Sequence, residues 1–240
     1  MREIMKNVYR MESVPGCNVY LLVSGDNLAL IDSGLSGGAD AIISQIQAAG
    51  FPLPALRMIV LTHAHGDHTG NVAELIRRSG AKLLAHRTEV PFSERTASLP
   101  VTSPVQRLFT RLADLLLFRQ PLVKVDRPLE DEERIDALGG LQVVPTPGHT
   151  PGSISLYQPD RRILFCGDAL FNRNPVTGRK GIQFPLPMLS VDMNQARESV
   201  GRLAGLPVEI CCFGHGEPIL ERAGEKIKAL AENSGTVGGE

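Results

Sequence analysis

His63-Ala64-His65-Gly66-Asp67-His68 places four metal-binding side chains within six residues, directly after the apolar run Met58-Ile59-Val60-Leu61. Imidazole and carboxylate donors suit zinc, and also iron or manganese. Donors this dense cannot all face one ion from a regular strand or helix, because their directions diverge. A loop at a strand end can aim some at one ion and the rest at a neighbour, which requires further donors downstream. The chain supplies His149 in Thr146-Pro147-Gly148-His149-Thr150, Asp168 in Cys166-Gly167-Asp168, and His215 in Phe213-Gly214-His215-Gly216. A lone histidine is ordinarily a core or surface residue. Here five of the six histidines fall in three glycine-bearing loops, each behind a strand-like run. Converging His and Asp clusters of that kind are what a metal site needs.

Working outward, segments 18–23 and 27–31 read as strands joined by Ser24-Gly25-Asp26. Segment 39–49 carries Ile42, Ile43 and Ile46 at helical spacing and is closed by Gly50. A buried strand over 58–61 delivers the histidine loop, with a helix over 72–78 and a strand over 81–85 behind it. The second half repeats the theme. It offers a strand at 141–144, a hairpin of 153–157 and 161–166, a helix at 193–203, a strand at 208–213 and a closing helix at 219–231. Between the halves, Val105, Leu108, Phe109, Leu112 and Leu116 keep helical spacing, so a helix is expected over 105–118. It would be a packed helix, a lid over the site or a dimer contact.

His63-x-His65-x-Asp67-His68, followed in order by His149, Asp168 and His215, resembles the metallo-β-lactamase superfamily of metallohydrolases. The resemblance runs from about Asn18 to Glu217 and takes in Leu30-Ile31-Asp32-Ser33-Gly34. It implies the α/β class and a four-layer αβ/βα sandwich, with two packed mixed β-sheets, outer helices and every ligand at a strand end on one edge. Residues 1–240 would then be a single hydrolase domain with a partly helical insertion at about 88–133. Carried over residue by residue, His63, His65 and His149 would hold a first divalent ion, and Asp67, His68 and His215 a second. Asp168 would bridge them. Two zinc ions are expected, with iron or manganese as alternatives. A water shared between two such ions is acidified towards neutrality and becomes the nucleophile. Asp67 and Asp168 would be the carboxylates that touch it. Asp32 would stand behind the ligand loop as an acceptor orienting a histidine or the backbone, with Thr62 and Thr150 in similar supporting positions.

Within the superfamily, Thr146 to Gly152 and Gly167-Asp168-Ala169-Leu170-Phe171 look most like glyoxalase II, the hydroxyacylglutathione hydrolase. Only 25 residues follow His215, so that enzyme's helical glutathione-gripping extension is not expected. Exported class B β-lactamases carry a cysteine at the position of Asp168 or lack the bridging carboxylate. Flavodiiron proteins carry a glutamate where His65 stands. Homoserine-lactone lactonases usually place a tyrosine where this chain has Phe171. The resemblance therefore implies a dinuclear hydrolase of a small ester, thioester or lactone. The alternatives are a persulfide dioxygenase with one iron on His63, His149 and Asp168, and a metal-binding protein without catalysis.

Composition sets the remaining bounds. A chain of 240 residues with 42% hydrophobic content is long enough for one well-buried α/β domain. A net charge of −1 leaves no basic footprint for nucleic acid. No run approaches the ~20 apolar residues of a membrane span, and no apolar signal core follows Met1 to Lys6. A cytoplasmic location is expected, with a small-molecule substrate and a homodimer as the one macromolecular partnership considered. Cys17, Cys166, Cys211 and Cys212 form no Cys-x-x-Cys pair and are expected as buried small hydrophobes. His86 is expected to be structural or on the surface.

Overall fold

The computed structural model describes residues 1–101, 103, 104, 107, 108 and 123–235. Its first sheet follows chain order: β1 (Arg2–Met5), β2 (Val8–Arg10), β3 (Tyr20–Ser24), β4 (Asn27–Ile31), β5 (Leu56–Val60), β6 (Lys82–His86) and β7 (Arg127–Leu129). The strands are antiparallel from β1 to β4 and parallel from β4 to β7. The second half gives β8 (Arg134–Ile135), β9 (Leu141–Pro145), β10 (Ile154–Gln158) and β11 (Ile163–Gly167). A separate hairpin of β12 (Phe171–Arg173) and β13 (Lys180–Gln183) follows, and β14 (Ile210–Phe213) then returns beside β11. The second sheet is ordered β14-β11-β10-β9-β8, with only β11 and β14 parallel neighbours.

Both faces of both sheets are buried, so the strands read as nearly continuous apolar runs and alternation sorts them between layers. From the first sheet Tyr20, Leu22, Ala29, Ile31, Val60 and Leu84 face inward, meeting Ile135, Val143, Ile154, Leu156, Phe165 and Cys212 of the second. The alternate residues Leu21, Leu28, Leu30, Ile59 and Leu83 face outward onto α1 (Ala39–Ala48) and α3 (Val72–Ser79), through Ile42, Ile43, Ile46 and Leu75. On the far side Tyr157, Leu164, Cys166, Cys211 and Phe213 meet α5 (Met193–Ala204) and α6 (Ala223–Gly235), through Val200, Leu203, Ala223 and Ile227. The result is the expected four layers, helix–sheet–sheet–helix. Two short helices, α2 (Gly66–Thr69) and α4 (Val90–Ser93), lie near the sheet edge that carries the histidine loop.

Local chemistry sets the ends of the helices. Asp192 caps α5 by accepting from the backbone N–H groups of Asn194 and Gln195. Gly80 ends α3 at φ 78°, with its N–H donated to the Ile76 carbonyl. The closing helix starts at Ala223 rather than at residue 219, because Ile219 exchanges two 2.9 Å backbone hydrogen bonds with Cys211 and so extends the sheet. The helix expected over 105–118 falls, but for Arg107 and Leu108, outside the described residues. No helix among the described residues is long and apolar enough to cross a membrane.

Candidate metal centre

Parallel strands bring the site together. β4 and β5 run the same way, and so do β9, β11 and β14. Asp32 follows β4, His63 follows β5, His149 follows β9, Asp168 follows β11 and His215 follows β14. After β5 the chain turns into α2, with His65 at its N-cap and Asp67 and His68 in its single turn. The structure thus gathers all seven predicted side chains at one edge of the sandwich. His63, His68, His149 and Asp168 are buried, whereas His65, Asp67 and His215 are partly open to solvent.

Besides Cys17, Asp32 and His68, three donor groups emerge among the described residues, each with ligand atoms within 4.8 Å of one another. They are His63, His65 and His149; His63, His68 and Asp168; and Asp67, His68 and His215. Asp168 lies between them. Its Oδ2 stands 3.5 Å from His149 Nε2, 3.4 Å from His215 Nε2 and 4.0 Å from His63 Nε2, and its Oδ1 stands 3.4 Å from His68 Nε2. His215 Nε2 is also 3.2 Å from Asp67 Oδ2.

The residues behind the cluster decide which nitrogen of each ring points into it. Asp32 accepts from the Thr62 N–H at 2.8 Å, from the Thr62 hydroxyl at 2.8 Å and from His68 Nδ1 at 2.8 Å. The Thr62 hydroxyl, having given its proton to Asp32, accepts from His63 Nδ1 at 3.1 Å. Ser190 gives its proton to the Leu186 carbonyl and accepts from His149 Nδ1 at 3.2 Å. Three imidazoles are thereby fixed as Nδ1–H tautomers with the Nε2 lone pair directed inward.

This donor set fits a bound cation. His65 Nδ1 stands 3.1 Å from His63 Nε2 and 2.9 Å from His149 Nε2, yet only His65 can supply a proton among them, and to one neighbour at a time. Nitrogens bound about 2.0–2.1 Å from one tetrahedral ion stand about 3.3–3.4 Å from each other. His68 Nε2 and Asp168 Oδ1 are buried without a hydrogen-bond partner, a costly arrangement unless a ligand completes it. Gly214 leaves the space they share: a Cβ there would lie 2.1 Å from Asp168 Oδ1.

Burial, reinforced by the neighbouring imidazoles, pushes His63 well below the usual histidine range. Burial likewise takes His149 down to about 3, with His65 adding to the shift. His215 goes the other way. Burial opposes its charge, but Asp168 and Asp67 raise it to about 9. Asp168 is held well below the usual carboxylate range by His215 and His68, against the opposing effect of burial. The two carboxylates thus make a field that favours positive charge between the histidine groups.

The other sequence expectations find their places. His86 lies away from the cluster, with Nε2 2.9 Å from Asp131 Oδ1 and Nδ1 accepting from the Thr88 N–H. Burial pushes the Cys17 thiol up to about 12 despite the nearby His68. Two contributors carry no sequence signal. Ser190 holds the His149 ring. Glu89, 1% exposed, accepts from the N–H groups of Ala64 and Gly152 in the two ligand loops. Burial raises its carboxyl to about 7, against donors that favour its ionised form. A polar groove of about 1220 Å³ opens on the Asp67 and His215 side, with Asn18, Arg173, Asn174 and Lys180 on its walls.

Two sheets packed between helices, with His and Asp side chains converging at strand ends, are what the metallo-hydrolase superfamily presents. The chain belongs to the metallo-beta-lactamase superfamily, whose family profile matches residues 13–215. Probable metallo-hydrolase YflN of Bacillus subtilis is 29% identical over 236 residues, which cover 90% of this chain and 86% of the relative. A hydroxyacylglutathione hydrolase of Pseudomonas aeruginosa is 30% identical over 205 residues, covering 82% of this chain but only 62% of that enzyme. Among solved structures, TTHA1623 in a di-iron-bound form superposes with a TM-score of 0.65 at 30% identity, covering 88% of this chain and 92% of that one.

Proposed function

We propose that the chain is a dinuclear metal-dependent hydrolase of a small ester, thioester or lactone, in the manner of glyoxalase II. The observation that carries this reading is Asp168, whose Oδ2 stands between His149 of one histidine group and His215 of the other, with Oδ1 beside His68. His63, His65 and His149 would hold one ion, Asp67, His68 and His215 the other, and Asp168 both. When bound, two divalent ions supply an acidified water as nucleophile and polarise the carbonyl under attack. The family membership and the relatives named hydroxyacylglutathione hydrolase support the same class.

The protein's own groups have definite tasks. Asp32, Thr62 and Ser190 keep three imidazole lone pairs turned inward. Asp67, at the groove mouth and hydrogen-bonded to His215, is placed to orient an incoming water. Phe171 packs edge-on to His215 with ring centroids 5.3 Å apart, so this position fixes the ring and offers no hydroxyl to substrate. The polar groove suits a small polar acyl donor. We read residues 1–240 as one domain with an insertion at about 88–133, whose last part returns to the body as β7 (Arg127–Leu129) paired with β6. The four cysteines are free thiols, which supports a reducing, cytoplasmic setting.

Elemental analysis of metal-replete protein should find about two ions per chain. A panel of esters, thioesters and lactones should show turnover that is lost on chelation and restored by zinc. One tightly held iron with oxygen consumption, and no second ion on titration, would overturn this in favour of a dioxygenase. Two ions with no turnover on any of the panel would leave a binding protein.

A further inference from the structure

Glu89 is a buried carboxylate that none of the seven candidate ligands touches. It ends the short turn Arg87–Glu89 behind β6, a third segment separate from both ligand loops. Its Oε1 accepts from the Ala64 N–H at 2.8 Å, and Ala64 lies between His63 and His65. Its Oε2 accepts from the Gly152 N–H at 2.8 Å, three residues beyond His149. No Arg, Lys or His forms an ion pair with it among the described residues. Both oxygens are engaged by backbone, and the two strands involved, β5 and β9, belong to different sheets.

We propose that Glu89 is a positioning residue that sets the separation of the two loops presenting His63, His65 and His149, and so the affinity of that three-histidine site. The proposal rests on the reading of those histidines as ligands of one ion. A carboxylate suits the task because its two oxygens are held rigidly in one plane, each able to accept from a different loop. Gly152 is where the second loop closes onto the acid: a Cβ there would lie 2.5 Å from Glu89 N and 2.7 Å from Glu89 Oε2. The Ile154 N–H also donates to the Thr62 carbonyl at 2.9 Å, so the sheets stay joined without Glu89. What Glu89 adds is control over the two loop segments beyond that tie. Their imidazole nitrogens already stand within 3.1 Å of each other, so a small shift of either loop would open the site.

Glu89→Gln separates positioning from bulk. The amide keeps the length and volume but has one acceptor oxygen, so one loop N–H faces an NH2 group. The test is titration of chelator-stripped protein with Zn2+ by calorimetry and with Co2+ by visible absorption, beside near-UV circular dichroism and the melting temperature. In the wild type the two ions should titrate. In Glu89→Gln one of the two should bind about 10–100-fold more weakly, the range for a lost ligand-supporting hydrogen bond, with an altered Co2+ spectrum. The other should keep its affinity. Glu89→Ala should show the same split, larger in size. Equal affinity for both ions in the folded Gln variant overturns the proposal. So does a parallel loss at both sites that tracks the melting temperature, or a Gln variant that does not fold. A wild-type chain that takes up no ion overturns the metal-centre reading itself, which is a separate result.

Discussion

Asp32 shows how much of the site depends on one side chain that would touch neither ion nor substrate. It holds His68 directly and His63 through the Thr62 hydroxyl, so two imidazoles owe their orientation to one carboxylate. It also sits at φ 59°, a conformation that Asn tolerates well and Ala does not. Asp32→Asn therefore tests the hydrogen bonds with little backbone strain. Its NH2 would face either the Thr62 N–H or, at the other oxygen's place, both the His68 Nδ1–H and the Thr62 hydroxyl, forcing a lost bond or a ring flip. We expect one ion to bind about 10–100-fold more weakly, measured by Zn2+ titration. Unchanged affinity would remove Asp32 from the site. This residue was legible through the resemblance to the superfamily, whose pattern Leu30-Ile31-Asp32-Ser33-Gly34 matches; an acid at a strand end before a turn would by itself read as a turn cap. Glu89 and Ser190 were not. An acid after His86-Arg87-Thr88 resembles any surface turn, and its burial depends on loops from elsewhere in the chain, those of Ala64 and Gly152 among them. Ser190 matters through the Leu186 carbonyl that orients its hydroxyl, a relation with no sequence signature.

At the scale of elements, the His149 loop is fixed by its seat on the start of α5. The Asp192 and Val191 N–H groups donate to the Gly148 and His149 carbonyls. Gly148 has φ 130°, and a Cβ there would come within 2.2 Å of Ala196 N and 2.7 Å of Asp192 O. Gly148→Ala must either move α5 or reshape the loop. We expect it to cost at least about 1–3 kcal/mol, the range for strained backbone. Gly201, exposed in the same helix, has nothing within 4 Å of its Cβ position, so Gly201→Ala should gain about 0.5–1 kcal/mol. Urea denaturation of both variants tests the pair, and the argument fails if they shift the midpoint in the same direction. The strands that build the site were legible because β3, β4, β5 and β11 are apolar on both faces. The strands β1, β2, β12 and β13 were not. Arg2–Met5 and Lys180–Gln183 mix charge, glycine and apolar residues without a period, and they pair because neighbours supply an edge.

The whole molecule carries a stability dependence that belongs to its core as well as to its metal centre. Cys212 lies between the two sheets and Cys211 on the outer face of the same strand, both fully buried. Burial pushes both thiols well above their usual range. Tyr20 is raised for the same reason, its hydroxyl donating to the Phe213 carbonyl at 2.8 Å. In each case the neutral form is the one that is packed. In the unfolded chain the thiols titrate near ~8.5 and the phenol near ~10. Above about pH 8.5 the unfolded chain therefore releases protons that the folded chain keeps, and stability falls with rising pH. Below that value these groups contribute their full stability and no slope. One pH unit beyond the unfolded thiol value should cost each thiol about 1.4 kcal/mol, so the pair should lose about 3 kcal/mol by pH 9.5. The measurement is the urea midpoint from pH 7.0 to 9.5 under reducing conditions. It should fall between about pH 7 and 9 as His215, raised to about 9 in the folded chain, loses its proton, and decline further above about pH 8.5 as the thiols of the unfolded chain ionise. The double variant Cys211→Ala with Cys212→Ala should start from a lower midpoint, because two core positions are truncated, yet decline less steeply, because two of the titrating groups are gone. A midpoint that stays level to pH 9.5, or a double variant with the wild-type slope, would show that the alkaline limit is set elsewhere.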